Sequence, residues 1–455
     1  MIRVAPMPAF GLFAAASIGA ALALTTPDQM MIRVAVVAGL AIFCFATRML
    51  PELVTSLLCF LGFLALGAAP VDLIFSGFST GGFWLLFGGL IIGTAISQTG
   101  LGQQVALRIF AKTGNSYARA VILLAVSGLG LGLLVPSTIP RVIVLMPVAL
   151  SLAATMGFAT GSRGQIGLAA TAAASTLLPT YAILTANLPT IVHYGALETL
   201  YGIKPSYSLY FLAQFPVNLV RFGLLLGFFL LFAKSESRGG ALPEAPKPMT
   251  RPQKQLLGLL SIAILFWATD ALHGISPAWI ALAVAIVLLW PGNPLLSRDA
   301  MKTSVDLSPA FFLAGIFAVG AVSAHVGLNA MIAAALVPKL ALEPGETLRD
   351  LYAVSGFSML MAHLTTAPAA PVMLAPLAGP MAEAAGWPVH TVAMAQIIGI
   401  STPLLPYESP PLIIAMSLAH LPVAAVTRLC LVLAAGVALL GLPLTYLWWQ
   451  VIGLF

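Results

Sequence analysis

Residues 136–147 read PSTIPRVIVLMP, and residues 363–372 read HLTTAPAAPV. Each is a polar, proline-containing centre inside an apolar segment about twice as long as one helix, 118–157 and 351–386 respectively. Such centres read as the tips of re-entrant hairpins. Non-helical backbone at membrane depth is tolerated only where protein buries it or water reaches it, so both tips are expected to line a cavity.

The chain around them is a membrane protein by composition. Of its 455 residues 60% are hydrophobic and 7% charged, more apolar surface than a water-soluble fold can hide. Segments long enough to cross roughly 30 Å of hydrocarbon recur at 8–24, 31–47, 53–67, 82–97, 164–182, 207–233, 256–271, 279–290, 309–325, 389–400 and 426–455. No room is left for a separate soluble domain. The first span follows Arg3 and ends in small residues, as a signal peptide does, but the many later spans favour a retained helix over 1–30. Cys44, Cys59 and Cys430 fall inside apolar segments and suggest neither a disulfide framework nor a metal site. There is no HExxH and no Cys/His cluster, which argues against an intramembrane hydrolase.

The polar, Pro- and Gly-rich stretch 234–255 divides the chain into halves, 31–233 and 256–455, that repeat one another. An offset of 227 carries Gly88 onto Gly315, Gly93 onto Gly320, Gly100-Leu101 onto Gly327-Leu328, and Thr138 onto Thr365. With a slip of one, STLLPTY at 175–181 falls on STPLLPY at 401–407. Each half thus carries a hairpin followed by a broken helix, 164–204 in the first and 389–420 in the second. The expected fold is all-α, with two such repeats.

Lys and Arg near span ends favour the cytoplasm. With the linker inside, Arg3, Arg108, Lys112, Arg163, Lys254 and Arg298 are among the cytoplasmic residues, while Arg33, Lys204, Lys339 and Arg349 fall outside. The N-terminus is then cytoplasmic and the C-terminus outside, in a bacterial inner membrane. The hairpins enter from opposite faces, so the repeats are inverted. Inverted repeats with broken helices meeting at the midplane are the architecture of secondary transporters, whereas a channel has no need of them. The net charge of +6 follows from this topology, and no nucleic-acid partner is expected.

The site can be read from its chemistry. Arg141 follows a proline at the first tip, and a guanidinium in the bilayer must face water, a counter-ion or an anionic ligand. Its planar fork suits carboxylate or sulfonate oxygens; the alternative is snorkelling or a structural pair. Ser137, Thr138, Thr365 and Thr366 supply hydroxyls, and helix N-termini at the tips favour anions. Glu408, in the second break between Tyr407 and Ser409, has three readings: proton or cation coupling, a salt partner for Arg141, or a solvated cytoplasmic end. Asp270 and Arg221 are expected to be structural. His363 is a helix-cap, packing or substrate-contact residue.

Taken together, PSTIPRVIVLMP, HLTTAPAAPV, TANLP at 185–189, LPYESPP at 405–411 and LWWQVIG at 447–453 resemble the divalent anion/sodium symporter family, in particular its citrate and 2-oxoglutarate/malate exchanger branch. The resemblance spans both halves. It implies a homodimer carrying small dicarboxylate or tricarboxylate anions by an elevator motion, as symport or exchange, with sulfate or an organosulfonate as the alternative cargo. It implies substrate contacts at Ser137, Thr138, Arg141, Asn187, Thr365 and Thr366. Cation coupling would fall at Ser137, Thr138, Thr365 and Glu408, with sodium near the three hydroxyls and no other cofactor. Ser137-Thr138-Ile139 stands where the family has Ser-Asn-Thr, and Pro140 where Ala is usual, which puts sodium coupling in doubt.

Overall fold

The computed structural model describes residues 29–47, 49–110, 116–135, 138–232 and 248–455. The first span and Ser137 lie outside the described residues. All regular structure in the described residues is helical. The first half contains α1 (Met30–Thr47), α2 (Glu52–Leu66), α3 (Gly81–Thr99), α4 (Leu101–Phe110), α5 (Tyr117–Leu134), α6 (Thr138–Thr155), α7 (Arg163–Leu177), α8 (Leu188–Tyr201) and α9 (Tyr207–Phe232). The second contains α10 (Arg251–Ala268), α11 (Pro277–Leu289), α12 (Ser308–His325), α13 (Leu328–Leu336), α14 (Thr347–Leu364), α15 (Ala370–Leu374), α16 (Ala378–Ala385), α17 (Val389–Ile400), α18 (Pro410–Ala419), α19 (Val423–Gly436) and α20 (Leu442–Val451). Five helices in the described residues are long and apolar enough to cross a membrane unaided: α3, α6, α9, α12 and the α19–α20 run.

Of the stretch expected to be a linker, 234–255, residues 234–247 lie outside the described residues, and 251–255 are helical. Thr250 and Gln253 form a reciprocal capping box, the Thr250 hydroxyl accepting from the Gln253 N–H and the Gln253 side chain accepting from the Thr250 N–H, so α10 starts at Arg251.

Matching glycines occupy matching stations. Gly88 on α3 faces α11, where a Cβ would meet the Ala281 carbonyl at 2.7 Å; Gly315 on α12 faces α2, where it would meet Ser56 Oγ at 2.8 Å. Each permits a close crossing between one half and the other. Gly100 and Gly327 end the α3 and α12 stations with φ +66° and +79°, a conformation costly for any residue with a Cβ.

The deeper elements interlock in the same pairwise way. α5 packs along α7, and α14 along α17. Past each break the chain crosses over: α8 packs on α15 and α17, while α18 packs on α6 and α7. The two tips and the two breaks are thereby brought to one place.

Candidate functional site

Both breaks follow from sequence. α7 ends at Leu177, a single turn covers Pro179–Ala182, and α8 restarts after Asn187 with Pro189 in its first turn. α17 ends at Ile400, Pro403 and Pro406 prevent its continuation, and α18 begins at Pro410-Pro411 after Ser409. Asn187 and Ser409 occupy N-cap positions, and neither side chain caps its helix. Two helix N-termini, where partial positive charge concentrates, are thus left facing the space between the tips.

That space is a cavity of about 120 Å³. Thr138 and Ile139 come from the first tip, Thr366 to Pro368 from the second, Leu177, Tyr181 and Asn187 to Pro189 from the first break, and Ser409 to Pro411 from the second. The opposite wall comes from α1 (Phe45), α2 (Glu52), α3 (Leu86, Leu90) and α12 (Pro309, Phe312).

Arg141 lies one layer behind this wall and is fully buried. Its Nη2 donates to Thr138 Oγ1 at 2.7 Å, to the Ala186 carbonyl at 2.6 Å and to Asn187 Oδ1 at 3.3 Å. The Thr138 hydroxyl donates to Asn187 Oδ1 at 2.9 Å, and the Asn187 amide donates to Thr180 Oγ1 at 3.2 Å. The guanidinium therefore stitches the first tip to the first break through two residues that do line the cavity.

The second tip is held differently. Glu408 is 1% exposed, and its Oε1 accepts from the Leu404 and Leu405 N–H groups at 3.1 and 2.7 Å. The same oxygen lies 2.9 Å from His363 Nδ1, while Oε2 is buried with no hydrogen-bond partner. Of the three readings of Glu408, the solvated end does not fit this burial, and the partner it meets is His363 rather than Arg141. The Ala367 N–H donates to the Glu408 carbonyl at 2.9 Å, and the Tyr407 hydroxyl to the His363 carbonyl at 2.6 Å. Thr365 does not line the cavity; its hydroxyl donates to the Met361 carbonyl at 2.7 Å, ending α14, and its neighbour Thr366 is the one that faces inward.

Arg221 and Asp270 are both structural. Arg221 is buried on α9 and donates to Asn218 Oδ1, the Ile398 carbonyl and Thr402 Oγ1, tying α9 to the second break. Asp270 accepts from the Tyr207 and Ser208 N–H groups and so holds the start of α9. Sequence reasoning did not single out Tyr181, Ser409 or Glu52. Tyr181 and Ser409 belong to the quoted proline motifs, whereas nothing in its neighbourhood marks Glu52.

The model of the sodium:sulfate symporter transmembrane region matches residues 8–455. The chain belongs to this family. It is 23% identical over 376 residues to an L-tartrate/succinate antiporter of Shigella flexneri, covering 78% of this chain and 75% of that protein. It is 21% identical over 406 residues to the inner membrane protein YbhI of Escherichia coli (strain K12), covering 86% and 80%. A membrane protein of Cupriavidus necator is 26% identical over 238 residues, half of this chain, a match that spans only 46% of that protein's length. In fold, the chain is similar to the Alcanivorax borkumensis YdaH transporter, with a TM-score of 0.59, 19% identity, and 86% and 89% of the two chains covered. This family member is therefore an all-α, polytopic integral membrane transport protein.

Proposed function

We propose that this chain is a secondary transporter of small divalent organic anions, and that the cavity between the tips is its binding site. The observation that carries the reading is the convergence of two uncapped helix N-termini, at Asn187 and Ser409, with the hydroxyls of Thr138 and Thr366 around one space. Such a set offers partial positive charge and hydroxyls to an anion without a mobile counter-ion, although α18 opens on Pro410-Pro411, which have no N–H, and the Thr138 hydroxyl donates to Asn187 Oδ1. Arg141 supplies full charge from behind, through Thr138 and Asn187. The relative that carries L-tartrate and succinate supports a dicarboxylate. A second reading, sulfate or a small organosulfonate, is favoured by the family's sodium:sulfate members.

Sodium, if carried, would be cargo near Ser137, Thr138 and Thr365. A fixed guanidinium 2.7 Å from Thr138 Oγ1 competes with a cation for that place, and the Thr365 hydroxyl is already engaged, so we favour anion exchange over sodium symport. Purified protein in liposomes tests these points together. Succinate and L-tartrate are expected to compete for uptake more strongly than sulfate or a short sulfonate, and uptake is expected to need an internal anion. Dominance by sulfate would replace the first reading with the second. In the same liposomes Glu408→Gln is expected to flatten any pH or sodium dependence of net uptake, and an unchanged dependence returns Glu408 to a structural role.

Movement in this reading is an elevator. The hairpins, broken helices, α9 and α19–α20 travel against a scaffold of α1–α3 and α10–α13, within a homodimer. The boundary is closely packed: a Cβ on Gly82 of α3 would meet Gly195 Cα of α8 at 3.0 Å, the Phe317 ring of α12 fills the space beside Gly195, and the Gly81 N–H donates to Glu198 Oε2 at 2.8 Å, so the movement has to release these contacts. Inversion of the two halves has its own test. A single cysteine at Arg108 should react with an impermeant maleimide only from the cytoplasm, and one at Glu343 only from outside. Labelling of both from one face contradicts inverted repeats.

A further inference from the structure

Helical spacing makes the wall opposite the tips largely apolar. Leu86 and Leu90 stand one turn apart on α3, and Pro309 and Phe312 stand three residues apart on α12, so each helix turns one face to the cavity. Phe45 of α1 joins them, its ring edge-on to that of Phe312 with centroids 4.8 Å apart. Glu52, at the start of α2, also belongs to this wall and is already engaged within the protein. On the tip side, Ile139 follows the buried Thr138, lines the cavity and keeps 37% of its surface exposed. Its helix, α6, packs on α3, which carries Leu86 and Leu90.

The polar groups of the site lie on the tips and breaks, and part of their capacity is spent. The Thr138 hydroxyl donates to Asn187 Oδ1 and the Asn187 amide to Thr180 Oγ1. What remains, the helix N-terminus at Asn187, the charge of Arg141 behind it and the side chains of Thr366 and Ser409, suits the anionic ends of a ligand. The side chains of Phe45, Leu86, Leu90, Pro309 and Phe312 offer no hydrogen-bond partner to its middle. A ligand hydroxyl turned to that wall loses water and gains nothing, whereas a methyl group there leaves water favourably.

We propose that the transported dianion carries an apolar substituent, held between Ile139 and the wall of α1, α3 and α12. Ile139 and Leu90 then select alkyl-substituted dicarboxylates over hydroxylated ones of the same chain length. This rests on the dicarboxylate reading above and narrows it. Methyl and hydroxyl groups are close in size, so the choice between them is made by hydration rather than by fit.

Succinate, racemic methylsuccinate and racemic malate differ only in a hydrogen, a methyl or a hydroxyl group on one carbon, and they serve as the probes. Their inhibition constants against labelled succinate uptake are measured in liposomes for the parent, Ile139→Thr and Leu90→Thr. Ile139 is exposed and Leu90 half-buried, so each position accepts threonine without a large cavity. The parent is expected to bind methylsuccinate about threefold or more tighter than succinate, and malate more weakly than succinate. In either variant the preference for methylsuccinate over malate is expected to fall by about threefold or more, because a hydroxyl stands where aliphatic carbon stood. A purely structural role moves all three inhibitors together and leaves that preference unchanged. An unchanged preference in both variants, or a parent that binds malate as tightly as methylsuccinate, overturns the proposal. The parent's own ordering decides the matter where a variant fails to fold. A parent that takes up no labelled succinate and binds none of the three overturns the dicarboxylate reading itself, and this inference with it.

Discussion

Arg141→Ala is expected to reduce anion affinity by well over tenfold, a loss on the order of 2–5 kcal/mol, in equilibrium binding to the detergent-purified protein. A dianion entering a low-dielectric cavity needs compensating charge as well as dipoles. Arg141 supplies it from a buried position bonded to Thr138, Asn187 and the Ala186 carbonyl. Truncation removes that charge and also releases the tie between first tip and first break, so the two cavity-lining acceptors lose their shared donor. Arg141→Lys keeps the charge on a more mobile ammonium in place of the fixed guanidinium, whose Nη2 now serves acceptors on two segments, and intermediate affinity is expected. Thermal unfolding of the same samples separates lost binding from lost folding. If a well-folded Arg141→Ala binds as the parent does, the helix N-termini at Asn187 and Ser409 carry the anion alone.

Gly399→Ala is expected to destabilise the protein by more than about 1–3 kcal/mol, seen as a lower unfolding temperature and poor yield in detergent. Gly399 lies one residue from the end of α17, where that helix crosses α14. A Cβ there would fall 2.2 Å from the Ser355 carbonyl oxygen and 2.7 Å from the Met359 nitrogen. Both are backbone atoms of α14, and no rotamer change relieves the clash. The first half uses the same crossing with the partners exchanged, Gly128 on α5 meeting Ser175 on α7. Gly320→Ala is the matched control, since nothing lies within 4 Å of a Cβ at that position, and it is expected to be neutral or slightly stabilising. Equal unfolding temperatures for the two variants would contradict the packing described here.

The offset glycines show how much a sequence can carry when its constraints are local or periodic. Gly88 and Gly315, or Gly100 and Gly327, repeat because each half makes the same crossing or the same helix end, and a backbone demand of that kind leaves a mark on one residue. Proline motifs mark the breaks for the same reason, as a missing N–H ends a helix wherever it occurs. Partnerships left no such mark. His363 and Glu408 are 45 residues apart and Arg141 and Ala186 are 45 apart, yet each pair is in hydrogen-bond contact. Two adjacent threonines, Thr365 and Thr366, read alike, but one hydroxyl turns back to its own helix and the other lines the cavity.

By itself, then, the sequence determined the membrane as solvent, an all-α chain, the duplicated framework and the four interruptions around which a site could form, because apolar length, proline and glycine act on the few residues around them. Only the tertiary structure decided that Arg141 stands behind the cavity wall, that Glu408 is paired with His363, and that Phe45 and Phe312 meet opposite the tips. Those facts depend on which helices cross, and long-range packing gives a single buried side chain neighbours that no spacing along the chain encodes.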